Sequence, residues 1–170
     1  CEVYYVESHA MNPSMFMHTE QDDGSQRASE FIDSVFSPYG LQGRWAFHAL
    51  HDDGKLYGMS ESQLKTLYRD AAYIINLHGG TVPLPEHTAT GRLVYIETDP
   101  VAMEIELHDK LPISVDFMRQ HCAYFTFGEN LGHADCRLPV PEEFDFKPTR
   151  QPVILDFWEN VSSASNNGSV

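Results

Sequence analysis

The stretch Tyr73-Ile-Ile-Asn-Leu77, running straight into His78-Gly79-Gly80-Thr81, decides how this chain is read. The run is rich in β-branched and aromatic types, nearly continuous rather than alternating, and too short for a helix. Such a run suits a strand covered on both faces, as in a parallel sheet flanked by helices. The same style recurs in Val3-Tyr-Tyr-Val6, Leu93-Val-Tyr-Ile96, Tyr124-Phe-Thr-Phe127 and Val153-Ile-Leu-Asp-Phe157.

Helical segments lie between these runs. Ser60-Glu-Ser-Gln63 is a capping box, in which Ser60 can accept from the Gln63 amide while Gln63 reaches back. Leu64, Leu67, Tyr68 and Ala71 then form one apolar face. Ser25 to Phe36 repeats the pattern with Ala28, Phe31, Ile32, Val35 and Phe36, and Pro38 with Gly40 ends it. Asp99-Pro100 reads as an N-cap and first helical position, opening a helix through about Lys110. A shorter helix is expected over Ser114 to Cys122. Asp52-Asp53-Gly54, between Trp45-Ala-Phe-His48 and Leu56-Tyr57, reads as the turn of a small hairpin. Gly128 to Arg150 has no clear period and reads as a long loop. Strands separated by helices predict an α/β fold with a doubly wound, mainly parallel sheet over residues 1–158. Residues 159–170 read as a polar linker or the start of a further segment. The chain opens on Cys1 and ends in a polar stretch, so it reads as a piece of a longer protein. A strand and helix are expected before Cys1, and more chain after Val170.

Composition narrows the function. At 170 residues, 42% hydrophobic and 12% aromatic, the chain suits one domain with a real core. Eleven Lys and Arg stand against 25 Asp and Glu, giving a formal charge of −14, with a sequence pI near 4.8. The basic residues are scattered, so a phosphate backbone would be repelled and nucleic acid is not expected as a partner. No run approaches the roughly 20 apolar residues that span a bilayer. Three cysteines without a CxxC spacing fit a reduced, cytoplasmic setting, with Cys122 as a small core residue.

In open parallel sheets ligands collect at the carboxyl ends of strands. Three such ends are rich in glycine and polar groups: His78-Gly79-Gly80-Thr81, Glu97-Thr98-Asp99-Pro100 and Gly128-Glu129-Asn130-Leu-Gly132. Gly79, Gly80 and Gly128 would let backbone amides approach a ligand, joined by Thr98, Asp99 and Asn130, and a helix opening at Asp99 would offer free N–H groups. On this reading Gly79→Val crowds the cleft rather than the core. His78 is the best single candidate for acid–base work, because imidazole moves protons near neutral pH. Each residue also has a plain structural reading: a strand-exit turn for the glycines, a helix cap for Asp99, a turn residue for Asn130. Glu97-Thr98-Asp99 could instead clip a divalent ion on a diphosphate, although Asp99 looks committed to capping. His133-Ala-Asp-Cys136 lacks a second ligand pair, and no structural metal site is expected. Nucleophile-elbow, P-loop and dinucleotide fingerprints are missing from the sequence.

Together with Pro148-Thr-Arg-Gln-Pro-Val153 and Gly40-Leu-Gln-Gly-Arg-Trp-Ala46, these strand-end motifs resemble a group of bacterial glycosyltransferase-like proteins. The likeness covers most of Cys1 to Trp158. Such proteins are similar to the GT-B architecture, two Rossmann-like domains across a cleft. The resemblance implies that this chain is most of the N-terminal, acceptor-side domain. It implies transfer of a sugar from a nucleotide-sugar donor, held mainly by a second domain, to an acceptor hydroxyl, with no cofactor and no obligatory metal. His78 and Glu129 would stand at the cleft, His78 as the base. The competing readings are a metal-dependent single-domain glycosyltransferase using Glu97 and Asp99, and a non-catalytic α/β module that binds carbohydrate or a protein partner.

Overall fold

The computed structural model describes residues 1–9, 13–50, 54–140, 142–156 and 158. The first unit is a three-stranded sheet. β1 (Tyr5–Ser8) enters it, α1 (Gly24–Phe36) crosses over, and β2 (Trp45–Ala49) pairs parallel to β1 from Tyr5↔Trp45 to Ser8↔His48. Helix α1 starts where the Asp23 carboxylate accepts from the Ser25 and Gln26 amides. It stops where Gly40 takes a left-handed conformation after the 3₁₀ turn Ser37–Tyr39. The Ala28–Ile32 stripe of α1 is buried against Trp45, Phe47 and Ala49. β3 (Lys55–Tyr57) returns antiparallel to β2, as the hairpin reading required. Asp52 and Asp53, read as its turn, lie outside the described residues.

The capping box at Ser60 is formed and opens α2 (Glu61–Asp70). Its Leu64 and Tyr68 are buried with Ala46 and Met59, and Val6 and Ile74 pack against the same cluster. Burying side chains of this size contributes about 1.5–3 kcal/mol each. Then follow β4 (Ile74–Leu77), α3 (Pro85–Thr88), β5 (Leu93–Glu97), α4 (Ala102–His108), α5 (Pro112–Met118), β6 (Ala123–Thr126) and β7 (Phe146–Pro148). The last four strands form an all-parallel sheet in the order β4-β5-β6-β7. In the middle of that sheet β5 is buried over most of its length. One face carries Tyr95 and Tyr124, which pack with Leu107, Met118, Phe144 and Phe146. The chain is therefore α/β, with a parallel sheet flanked by helices and a smaller mixed sheet beside it.

Several expectations are corrected. β1 begins two residues later than the apolar run Val3 to Val6, because ladder pairing starts at Tyr5, whose amide donates to Arg44 O at 2.9 Å. Residues 153–156 do not form a strand; Val153, Ile154 and Leu155 are exposed. Phe157 lies outside the described residues. The fourth place in the sheet is taken instead by Phe146–Pro148, inside the stretch read as a loop. The pairing there is driven by Phe144 and Phe146, which alternate toward Tyr124. The helix expected from Asp99 opens only at Ala102, with Val101 at its cap position and no capping side chain. Cys122 is exposed rather than in the core, and all three cysteines are free. Among the described residues no helix is long and apolar enough to cross a membrane.

Gly58 sets a hard constraint on the first sheet. It has φ +79°, and a Cβ there would sit 2.4 Å from the Trp45 carbonyl oxygen and 2.7 Å from its ring. Backbone cannot yield as a flexible side chain can. Gly58→Ala should therefore lose about 2–4 kcal/mol in urea unfolding, from left-handed strain plus overpacking. Gly91→Ala, with φ +63° and nothing within 4 Å, should lose only the strain component.

Candidate functional site

The carboxyl ends of β4 and β5 bring His78, Glu97 and Thr98 together. His78 follows β4 in a tight turn closed by the Gly80 amide donating to Leu77 O at 3.1 Å. Both central residues are left-handed, His78 at φ 58° and Gly79 at φ 63°, the pattern of a type I′ turn. For glycine this is free, but a histidine in that region costs roughly 1–2 kcal/mol. The strain is held from behind by Asn76, the polar residue inside the apolar run of β4. Its amide group donates to Thr81 O at 2.9 Å, and its Oδ1 accepts from the Thr81 amide at 3.4 Å. Asn76 itself is fixed by buried His121, whose Nε2 lies 3.2 Å from Asn76 Nδ2 and whose Nδ1 lies 3.1 Å from Phe117 O. Burial holds the His121 pKa below its usual value, so the ring stays neutral in this role.

The turn delivers the His78 imidazole to solvent at 57% side-chain exposure, while its Nδ1 faces inward. Nδ1 lies 2.9 Å from Thr98 Oγ1 and 3.4 Å from Glu97 Oε1. Glu97 is 3% exposed at the end of β5. Its Oε1 accepts from the Asp99 amide at 3.0 Å, and its Oε2 accepts from the Tyr95 hydroxyl. The Tyr95 pKa is pushed well up, first by burial and then by this bond to Glu97, so the phenol remains a donor. With Nδ1 protonated and facing the carboxylate, the ring's lone pair is left on Nε2. A buried carboxylate behind an exposed imidazole is an arrangement that orients a general base.

Glu104 was not singled out by the sequence reading. It lies in the first turn of α4, is fully buried, and neither carboxylate oxygen has a hydrogen-bond partner among the described residues. Burial, and the nearby Glu97 charge, push its pKa up, against a smaller opposing influence from the amides of Val101 and Glu104 itself. The signal available in the sequence was its spacing from Leu107, which is buried one turn later on the same face.

The remaining candidates are distributed differently. Glu129 is engaged in an exposed two-point pair with Arg150, Nε–Oε1 2.7 Å and Nη2–Oε2 3.1 Å. Among the described residues its carboxylate pairs with Arg150 and not with His78. The space a Cβ would take at Gly79 is filled by Phe117 at 3.3 Å and Tyr95 at 3.5 Å. Gly79→Val would therefore crowd core rings, which corrects the expectation that it crowds a cleft. At Gly80 the nearest atom is Leu77 O, 3.3 Å from a Cβ. Gly128 backs onto Pro100 and donates its amide to Thr126 Oγ1 at 2.9 Å. Asn130 sits in an exposed turn closed by the His133 amide. Asp99 is exposed and caps nothing. Because α4 is seven residues long and starts past Asp99, the helix N-terminus expected there as an anion site is not formed. Among the described residues no three His, Cys, Asp or Glu gather as metal ligands. No family model, curated protein or solved structure matches the chain.

The burial of Glu104 makes a pH-dependent prediction. Its folded pKa lies above the ordinary 4.5, so the folded protein keeps that proton longer than the unfolded chain. This cost is absent below pH 4.5, and stability falls as pH rises above that value until the folded group ionises. Glu104→Gln should flatten that decline and raise the urea midpoint at pH 7, with little effect at pH 4. A lower midpoint at pH 7 would mean that the carboxylate is charged and usefully paired.

Proposed function

We propose that this chain is the acceptor-side half of a glycosyltransferase, with His78 as the base that activates the acceptor hydroxyl. The observation carrying the reading is the His78–Glu97 pair, an exposed imidazole backed at 3.4 Å by a buried carboxylate at the mouth of the parallel sheet. That position is where open α/β sheets bind ligands. In the proposed reaction the acceptor oxygen attacks the anomeric carbon of a nucleotide-sugar while the bond from that carbon to the diphosphate oxygen breaks. The hydroxyl proton passes to His78 Nε2, and the nucleoside diphosphate leaves with the bonding electron pair. Glu97 and Thr98 keep Nδ1 protonated and stabilise the imidazolium that forms. The donor would be held mainly by a second domain, as the resemblance implies. The Glu97 carboxylate already accepts from Tyr95 and Asp99, which favours this reading over a metal clip at the same residues.

The test uses the complete polypeptide, assayed for transfer with a panel of nucleotide-sugars and simple acceptors, with and without manganese. His78→Asn is the informative variant, since asparagine tolerates the left-handed backbone but cannot take the proton. It should fold normally, bind donor with unchanged affinity and lose about 10²–10⁴ in kcat. Glu97→Gln should also lower kcat, without altering donor affinity. Unchanged turnover in His78→Asn would remove the base assignment. Donor binding without any transfer by the native protein would favour a non-catalytic binding module.

A further inference from the structure

Helix α3 is started by a histidine ring three residues into the turn rather than by its own cap residue. Leu84, at the cap position, has no acceptor in its side chain, and His87 supplies one: its Nδ1 accepts from the Leu84 amide at 3.1 Å. That bond fixes the neutral tautomer, with the lone pair on Nδ1 and the proton on Nε2. The residue is 4% exposed, and its ring stands edge-on to Tyr68 of α2 with centres 4.5 Å apart. One imidazole therefore both closes the start of α3 and seats it on α2. Its Nε2 is buried without a hydrogen-bond partner among the described residues. The other end of the same strap is held by a group that does not titrate, the Arg92 guanidinium donating to Arg69 O at 2.6 Å.

A second proton on this ring can only go to the nitrogen that makes the bond. The imidazolium carries N–H on both nitrogens, so Nδ1 would meet the Leu84 amide donor against donor. The Nε2 proton would stay buried without an acceptor. A buried charge with neither bond made is costly, and turning the ring out to water relieves it. The groups around the ring pull both ways. Glu86 on α3 favours the charged form, while His48 on β2 and, above all, burial oppose it. Tyr68 on α2 stays uncharged, and Lys65 of the same helix lies within reach of the Glu86 charge. We propose that His87 is a proton-operated clasp: proton uptake breaks its bond to the Leu84 amide and releases residues 84–89 from α2, while Arg92 stays anchored. The strap that opens is the one leading out of the His78 turn, since Leu84 follows Thr81 by three residues. The start of α2 offers the contrast, because there Gln63 accepts from the Ser60 amide at 2.9 Å through a group that does not titrate.

Burial holds the docked His87 below its ordinary 6.5, so the opened segment takes up protons that the clasp resists, and acid below that value favours opening. Buried His121 is depressed in the same direction, so a global melt would mix the two and the readout must be local. Amide exchange is followed by NMR from about pH 7.5 to about pH 5, the range in which imidazoles titrate. Each rate is expressed as protection relative to the free-chain rate at that pH, with the Ser60 amide as internal reference. Protection at Leu84 should fall at least about tenfold relative to Ser60, with the midpoint at which the His87 ring titrates. His87→Gln keeps an acceptor at the same position without a titrating group, and should hold Leu84 protection level. Leu84 protection that follows Ser60 throughout, or a His87 ring still neutral at the acid end, would overturn the proposal. Both are read on the native protein, so they decide whether or not the variant folds. An equal acid loss in folded His87→Gln would overturn it as well. No turnover enters, so the outcome is separate from that of the glycosyltransferase reading.

Discussion

Packing of α2 against both sheets is the constraint on which the remaining structure rests. Among the described residues the two sheets share no ladder, yet Val6 and Ala46 from one and Ile74 from the other meet the Leu64–Tyr68 face of this helix. The link continues past the helix end. Tyr68 stacks edge-on against His87 of α3 with ring centres 4.5 Å apart, and the Arg92 guanidinium donates to Arg69 O at 2.6 Å. Burial pushes the Tyr68 hydroxyl up to about 12, so it stays uncharged through the physiological range. The capping box at Ser60 fixes where this helix starts, and thereby which of its side chains face the sheets.

The candidate site inherits its order from that scaffold through a short chain of contacts. His121 holds Asn76, Asn76 holds the turn, and the turn holds His78 in a backbone conformation it would not choose alone. Strain of this kind persists only when the surroundings over-determine it, and it concentrates where a side chain must be presented at a particular angle. The same residues explain why the imidazole is rigidly backed on one nitrogen and open on the other.

Much of the architecture was legible in the sequence, for physical reasons that differ by element. The strand at Leu93 was clear because β5 is buried over most of its length. The run at Ile74 does pair, but at the sheet edge with Ile75 and Leu77 exposed, so the expectation that it is covered on both faces is corrected. Helix α2 was clear because its cap and its apolar spacing agree. The run at Val153 misled because apolar content alone does not form a ladder. Phe146–Pro148 escaped because three residues ending in proline carry too little pattern, and their pairing depends on rings distant in sequence. In the site, His78 was visible as a histidine at a strand end. Its partnership with Glu97 and Thr98 was not, since it arises from parallel register between β4 and β5. Glu104 was hidden for a related reason: a glutamate on an otherwise amphipathic helix reads as solvent-facing until the packing is known.

The placement of the two tryptophans gives the molecule an uneven optical signature. Trp45 is buried under α1 with its indole N–H donating to Asp33 at 3.2 Å, while Trp158 is 60% exposed. Emission from the first reports a dry environment and shifts to the red when the small sheet opens. Emission from the second is close to that of the solvated ring from the outset. The four-stranded sheet contains tyrosines and phenylalanines but no tryptophan, so its melting is nearly silent in that channel. A fluorescence transition on this chain therefore follows the small sheet while a circular-dichroism transition follows all of the secondary structure, and their coincidence or separation reads how tightly α2 couples the two sheets.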